Sequence, residues 1–252
     1  MNLILLHDQD FITPHRVRLS DRRFIHIQDI LKAQCAKTLT VGKINGLMGQ
    51  GTVISKDSDV IELEVILDQK PPEALSLTLV LALPRPPMLK RILFSAAMLG
   101  IKKIIILNFK RVEKSLWDSS SLKPPAITEQ LILGLEQAKD TVMPEVIIKK
   151  GFKPFVQDEL PSLINGKLAL VAHPNKVSVI ASEAKVLMPD TRSSSQSFSN
   201  VIRPVVLVIG PEGGIIDYEI DLLKAAGCQT IDLGPRILRT ESVLPLVVGK
   251  MF

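Results

Sequence analysis

The apolar positions change their rhythm at about residue 70. Before it, short runs at Leu3 to Leu6, Thr38 to Ile44, Gly51 to Ser55 and Val60 to Leu67 are separated by Gly, Asn and Asp turns. Such runs predict strands, and residues 1–70 therefore read as a small β-rich domain. Pro71 and Pro72 mark a linker. From Leu75 onward strand-like runs alternate with helix-like ones, as in an α/β domain whose parallel sheet is covered on both faces. Strands are predicted at Leu75 to Leu83, Lys103 to Asn108, Glu145 to Ile148, Lys167 to Ala172, Val205 to Ile209 and Gln229 to Leu233. Helices are predicted at Met88 to Leu99, closed by Gly100, at Ile127 to Ala138 and at Phe155 to Ile164. Another, with Ile220, Leu222, Leu223 and Ala226 on its apolar side, stops at Gly227, and a last one follows Arg239. Met188 to Ser199 is rich in serine and reads as a flexible loop.

Length and composition narrow the picture only moderately. The 252 residues suffice for one large or two modest cores, built mainly from Leu, Ile and Val because aromatics make up only 4%. Net charge is +5, which agrees with an anionic partner such as RNA without establishing one. No apolar run reaches the roughly 18 residues of a membrane span. The start, MNLILLHDQD, lacks the basic region of a secretion signal. Cys35 and Cys228 are far apart and lack metal-type spacing, so two reduced thiols in a cytoplasmic protein are expected. His7, His15, His26 and His173 make no metal set.

The chemistry concentrates near the end of the chain. VVLVIGPEGG runs from a buried-type strand into a glycine turn, and IDLGPRILRTES does so again 20-odd residues later. Gly210, Gly213 and Gly214 allow main chain to approach a ligand closely; alternatively they make only a tight strand-to-helix turn. No G-x-G-x-x-G follows a strand and no Walker-type loop exists, which argues against nicotinamide or nucleoside-triphosphate binding. GLMGQG at residues 46–51 has no Lys-Ser/Thr and no helix after it, so it is expected in a hairpin turn. His15, Arg16, Arg18, Arg22, Arg23, His26 and Lys32 form the densest basic cluster, either a solvated face or a surface for RNA phosphates.

IGPEGG and LGPRILRTES at this spacing closely resemble the C-terminal motifs of the RsmE-type 16S ribosomal RNA uridine-N3 methyltransferases, members of the SPOUT superfamily. The resemblance implies a trefoil-knotted parallel-sheet domain over residues 73–252 and a PUA-like β-barrel over residues 1–70. It implies S-adenosyl-L-methionine as cofactor, ribosomal RNA or the small ribosomal subunit as partner, and a homodimer. Donor-binding residues would be Leu170, Ala172, His173, Gly210, Pro211, Glu212, Gly213, Gly214, Leu233, Gly234, Ile237, Leu238, Arg239 and Thr240, with adenine among Leu170, Leu233, Ile237 and Leu238. Uridine N3 carries a proton, so the acceptor needs a cation beside its carbonyls or a base. Arg239 and Arg236 are candidates for the cation, and Glu212 or Glu241 for the base. Glu241 has the competing role of pairing with an arginine and capping the last helix.

RNA contacts are expected at Arg16, Arg18, Arg22, Arg23, His26, Lys32 and Arg85. HIQDILK resembles the family's His-x-x-x-Val-Leu-Arg element, with Lys32 in place of arginine, which loses the two-pronged grip. Arg85 and Met98 stand for a lysine and a glutamate of the family pattern, and Asp140 for an arginine. After the glycine pair, Ile215 and Ile216 replace Phe-Ser, so Asp217 is expected to cap the helix one residue late. Pro245 is expected to break one bond of the last helix. These departures keep open an alternative, a non-catalytic protein of this fold that holds RNA or a ribosomal particle, or a methyltransferase for another RNA.

Overall fold

The computed structural model describes residues 2–174 and 204–252; the expected loop at 188–199 lies outside them. Two six-stranded sheets account for the described strands. The first contains β1 (Ile4–Leu6), β2 (Phe11–Thr13), β3 (Arg16–Leu19), β4 (Thr38–Lys43), β5 (Met48–Lys56) and β6 (Ile61–Gln69). Its order is β1-β4-β5-β6-β3-β2, and only the β1–β4 pair is parallel. β2 and β3 were not among the expected strands. In β3, Val17 and Leu19 point into the core while Arg16 and Arg18 point out, so part of the basic cluster is the wet face of a strand. The β4–β5 turn is at Asn45 and Gly46, with Gly46 N–H donating to Lys43 O at 2.8 Å. From Met48 on, GLMGQG is strand, not a phosphate loop.

The second sheet is parallel throughout. Its strands are β7 (Leu75–Ala82), β8 (Ile101–Leu107), β9 (Glu145–Lys149), β10 (Leu168–Ala172), β11 (Val205–Ile209) and β12 (Gln229–Ile231), in the order β12-β10-β11-β7-β8-β9. β11 is buried along its whole length, as its unbroken Val-Val-Leu-Val-Ile requires. From β7 the chain steps outward through β8 and β9, then returns on the other side. The strand order therefore reverses between β7 and β11, where an open α/β sheet leaves a crevice at the carboxyl ends of its strands.

The helices are α1 (Arg22–Ile25), α2 (Pro86–Met98), α3 (Pro124–Ala138), α4 (Phe152–Pro154), α5 (Leu160–Ile164), α6 (Asp217–Ala225) and α7 (Thr240–Met251). The helix expected from Phe155 to Ile164 is instead α4, a widened turn over Phe155–Glu159 and α5. Pro161 has no N–H to donate and its ring crowds the preceding turn, which favours the wider winding. α7 runs through Pro245, whose ring lies on the exposed side while Val243, Leu244 and Val247 are buried.

The two sheets share a seam. Ile4 and Leu6 enter the core of the first sheet, whereas Leu3 and Leu5, on the opposite face, enter the core of the second. Main-chain N–H groups of Asn2 and Leu3 both donate to Glu136 O at 3.0 Å. Arg22 grips the Glu136 carboxylate with two bonds of 2.7 and 3.0 Å, and Thr141 Oγ1 donates to Gly46 O at 2.6 Å. Asp140 is buried here too: it pairs with Lys102 Nζ at 2.5 Å and accepts the Val142 N–H at 2.9 Å. The charge departure at 140 is thus matched locally by a lysine.

α2 and α3 approach closely at Gly134. A Cβ there would collide with Phe94 O and lie 2.8 Å from the Ala97 Cβ. Gly134→Ala should therefore destabilise the protein by about 1–3 kcal/mol despite alanine's better helix propensity. Gly249→Ala, in α7 with nothing within 4 Å, should cost nothing. Urea unfolding of the two variants checks this.

Candidate functional site

Three adjacent strands, β12, β10 and β11, deliver their exits to one edge of the sheet. The β10 exit carries His173, whose N–H donates to Ile231 O at 3.1 Å and so ties it to the end of β12. Burial lowers the His173 imidazole pKa; the Lys224 charge lowers it further and Asp217 partly opposes this, so the neutral ring prevails at pH 7. Ala172 is half-buried at this mouth, whereas Leu170 is set deeper, in the core.

The β11 exit is the turn 210–214. Gly214 has φ +79° and donates to Pro211 O at 2.8 Å, a conformation that side chains disfavour. Gly210 has no room for a Cβ because Ile215 folds back against it. The turn is held from three directions. Glu212 Oε1 accepts the Arg85 N–H at 3.0 Å, from the loop after β7. Arg111 Nη1 donates to Gly213 O at 2.6 Å, from the loop after β8. Glu219, only 3% exposed, accepts the Lys110 N–H at 2.7 Å and the Ile216 N–H at 3.4 Å.

The last bond corrects the expected helix entry. Ile216 occupies the cap position, Asp217 is the first residue of α6, and entry does not shift. Glu219 reaching back to the cap N–H supplies half of a capping box, which offsets the loss of the serine.

The β12 exit spans residues 232–239. Gly234 has φ +121° and donates to Asp232 Oδ1 at 3.0 Å. Leu233 and Leu238 are half-buried against the core, while Ile237 is 94% exposed. Arg236 and Arg239 are exposed and make no side-chain hydrogen bond or ion pair among the described residues. Arg239 caps α7 with extended backbone, and Thr240, the first helical residue, is buried. Glu241 meets Arg91 at 3.5 Å, the expected pairing, but it sits in the first turn of α7 and does not cap it.

Arg16 and Arg18, both exposed, share Glu62 at 2.7 Å each. The Arg18 bond, with the charges of both arginines, holds the Glu62 carboxyl below its usual range despite some desolvation. Arg22 is committed to Glu136. Arg23 does not face RNA, contrary to expectation: it is 3% exposed, and its guanidinium is consumed by Asp10, Asp21 and Leu5 O. Burial would raise the Asp21 pKa, but the Arg23 bonds overcome this and lower it. His26 is half-buried, and Lys32 is exposed with φ 48°. Arg85 is exposed and meets Glu113 at 3.0 Å. An open groove of about 520 Å³ lies apart from the three exits, between α1 and the start of α3.

The RNA methyltransferase domain family matches residues 71–251, which take in the parallel sheet and all three exits. The chain belongs to that family. Among RNA methyltransferase relatives, ribosomal RNA small subunit methyltransferase E of Treponema pallidum is 27% identical over 96% of this chain and 87% of its own length. Ribosomal RNA small subunit methyltransferase E 1 of Borreliella burgdorferi is 25% identical over 96% and 93%. The fold is similar to that of ribosomal RNA small subunit methyltransferase E from Neisseria gonorrhoeae, a structure bound to S-adenosyl methionine, with a TM-score of 0.71 at 21% identity over 100% of this chain and 96% of that one. No group of metal-binding side chains and no helix fit to cross a membrane occurs among the described residues.

Arg111 and Lys110 escaped the sequence reading. The available signal was position: a basic pair just after a strand that neighbours the reversal point. Glu219→Ala should leave two main-chain donors unpaired and cost about 1–3 kcal/mol. Glu219→Gln, which keeps one acceptor, should cost less; thermal unfolding and amide exchange at Gly213 and Lys110 measure both.

Proposed function

We propose that the protein is an S-adenosyl-L-methionine-dependent methyltransferase acting on N3 of a uridine in 16S ribosomal RNA. The observation that carries this reading is the convergence of the β10, β11 and β12 exits on one edge, with glycine main chain exposed at two of them and, beside it, two arginines that have no partner among the described residues. Family membership and relatives named for ribosomal RNA methylation support it. The reading includes a trefoil knot over residues 73–252, a PUA-like barrel over residues 1–70, a homodimer, and a cytoplasmic setting with ribosomal RNA or the small subunit as substrate.

The residues present fit such a donor. Gly234 leaves open space where a side chain would stand, and Ile237 offers an uncovered apolar surface beside half-buried Leu233 and Leu238. Main chain of 210–214 and 232–240, with Ala172 and His173, would hold it. When bound, the donor supplies a methyl group already activated on a sulfonium. The protein's part is to align the uracil and favour loss of the N3 proton. Arg239 and Arg236, with no carboxylate partner among the described residues, stabilise negative charge on the uracil carbonyls. Glu212 orients the turn through Oε1, leaving Oε2 to take the proton. The non-catalytic alternative rested on Asp140, Met98 and Pro245. Lys102 neutralises Asp140, Pro245 faces outward from α7, and Met98 ends α2.

Calorimetry should show wild-type protein binding S-adenosyl-L-methionine and Gly213→Val binding at least about tenfold more weakly. Arg239→Gln should lower kcat about 100-fold or more, as removal of an oxyanion-stabilising group does. Mass spectrometry of small-subunit RNA from cells lacking the gene should show one N3-methyluridine missing. RNA binding with neither donor binding nor a missing mark would select the non-catalytic reading.

A further inference from the structure

Arg16 and Arg18 share the single carboxylate of Glu62, Arg22 is tied to Glu136 and Arg23 to Asp10 and Asp21, so part of the basic cluster is spent and free positive charge is also found elsewhere in the fold. It gathers where β8 and β9 end. These strands run side by side, Leu107 opposite Lys149, and the Asn108 N–H donates to Lys149 O at 3.1 Å. Just beyond, the Phe109 and Phe152 rings pack with centroids 4.8 Å apart, which sets their neighbours Lys110 and Lys153 at one mouth. Trp117 is fixed there by Nε1 donating to Asn108 Oδ1 at 3.1 Å, with Lys150 Nζ 5.9 Å from its ring centre. Lys114 lies on the turn that carries Trp117.

Lys110, Lys114, Lys150 and Lys153 are all exposed, and none pairs with a carboxylate among the described residues. Carboxylates nearby are taken: Glu113 by Arg85 and Glu159 by Lys149, leaving Asp118 as the unpaired one in this turn. The mouth is continuous with the glycine turn, because the Lys110 N–H bonds Glu219 and Arg111 bonds Gly213 O. Exposed, unneutralised ammonium groups on a rigid aromatic footing suit a polyanion, because they replace its condensed counterions and release these into solution.

We propose that this mouth, with Lys110, Arg111, Lys114, Lys150 and Lys153, receives the phosphodiester backbone of the substrate RNA as it enters the site. The assignment rests on the functional reading above and adds to it a surface that brings the RNA to the donor loops from the β8–β9 side. Its test is a variant with Lys110, Lys114, Lys150 and Lys153 all changed to Gln; these side chains are exposed, so folding is preserved. Affinity for a labelled fragment of small-subunit ribosomal RNA should fall at least about tenfold. The slope of log affinity against log salt should shrink by about 3, near 0.7 for each lost phosphate contact. With small subunits as substrate, KM should rise while kcat and donor affinity by calorimetry stay within about twofold of wild type. An RNA affinity and salt slope equal to wild type, with donor binding intact, would overturn the surface. Wild-type protein that binds neither donor nor RNA would overturn the functional reading, and this surface with it.

Discussion

A glycine turn that offers its main chain to a ligand cannot hold itself in place. It has few side chains to pack and more conformational freedom to lose than any other segment. Here the turn at 210–214 is fixed from outside, by the Arg85 amide on Glu212, by Arg111 on Gly213 O, and by buried Glu219 joining α6 to the loop after β8. These bonds link the exits of β7, β8 and β11, the three strands around the reversal of strand order. The parallel sheet supplies the position and the clamp supplies the rigidity. A site built in this way is organised before any ligand arrives, which lowers the ordering cost of binding.

The seam between the sheets follows a related logic. β1 uses its two-residue period to serve both cores, and Glu136 closes the junction by accepting Arg22 through its carboxylate and two amides through its carbonyl. Arg23 lies in the same region, buried against Asp10 and reaching Asp21 at the surface. Positive charge that looks available in a linear sequence is spent here on joining and stiffening the fold. At the ends of β8 and β9, by contrast, Lys110, Lys114, Lys150 and Lys153 are exposed and have no carboxylate partner among the described residues.

Much of the fold was legible in the sequence because the strands of the second sheet are largely continuous apolar runs and because Gly100 and Gly227 mark the ends of α2 and α6. The clean run Val205–Ile209 matches β11 residue for residue. β2 and β3 were hidden because they are short and because arginine at the outward positions of β3 drew attention to charge instead of alternation. Pro161 widened the winding of a helix whose apolar period was otherwise sound. At the candidate site, the glycine motifs pointed to the turns at 210–214 and 232–239. They could not reveal Arg111, since a contact across 102 residues depends on which strands become neighbours. Likewise Asp140 looked anomalous until Lys102, on the adjoining strand, was placed beside it.

Amide hydrogen exchange, with and without saturating S-adenosyl-L-methionine, tests the central claim most directly. The account predicts added protection at residues 210–214 and 232–240 and little change in the first sheet. Unchanged exchange at both exits, or protection confined to the groove between α1 and α3, would contradict it.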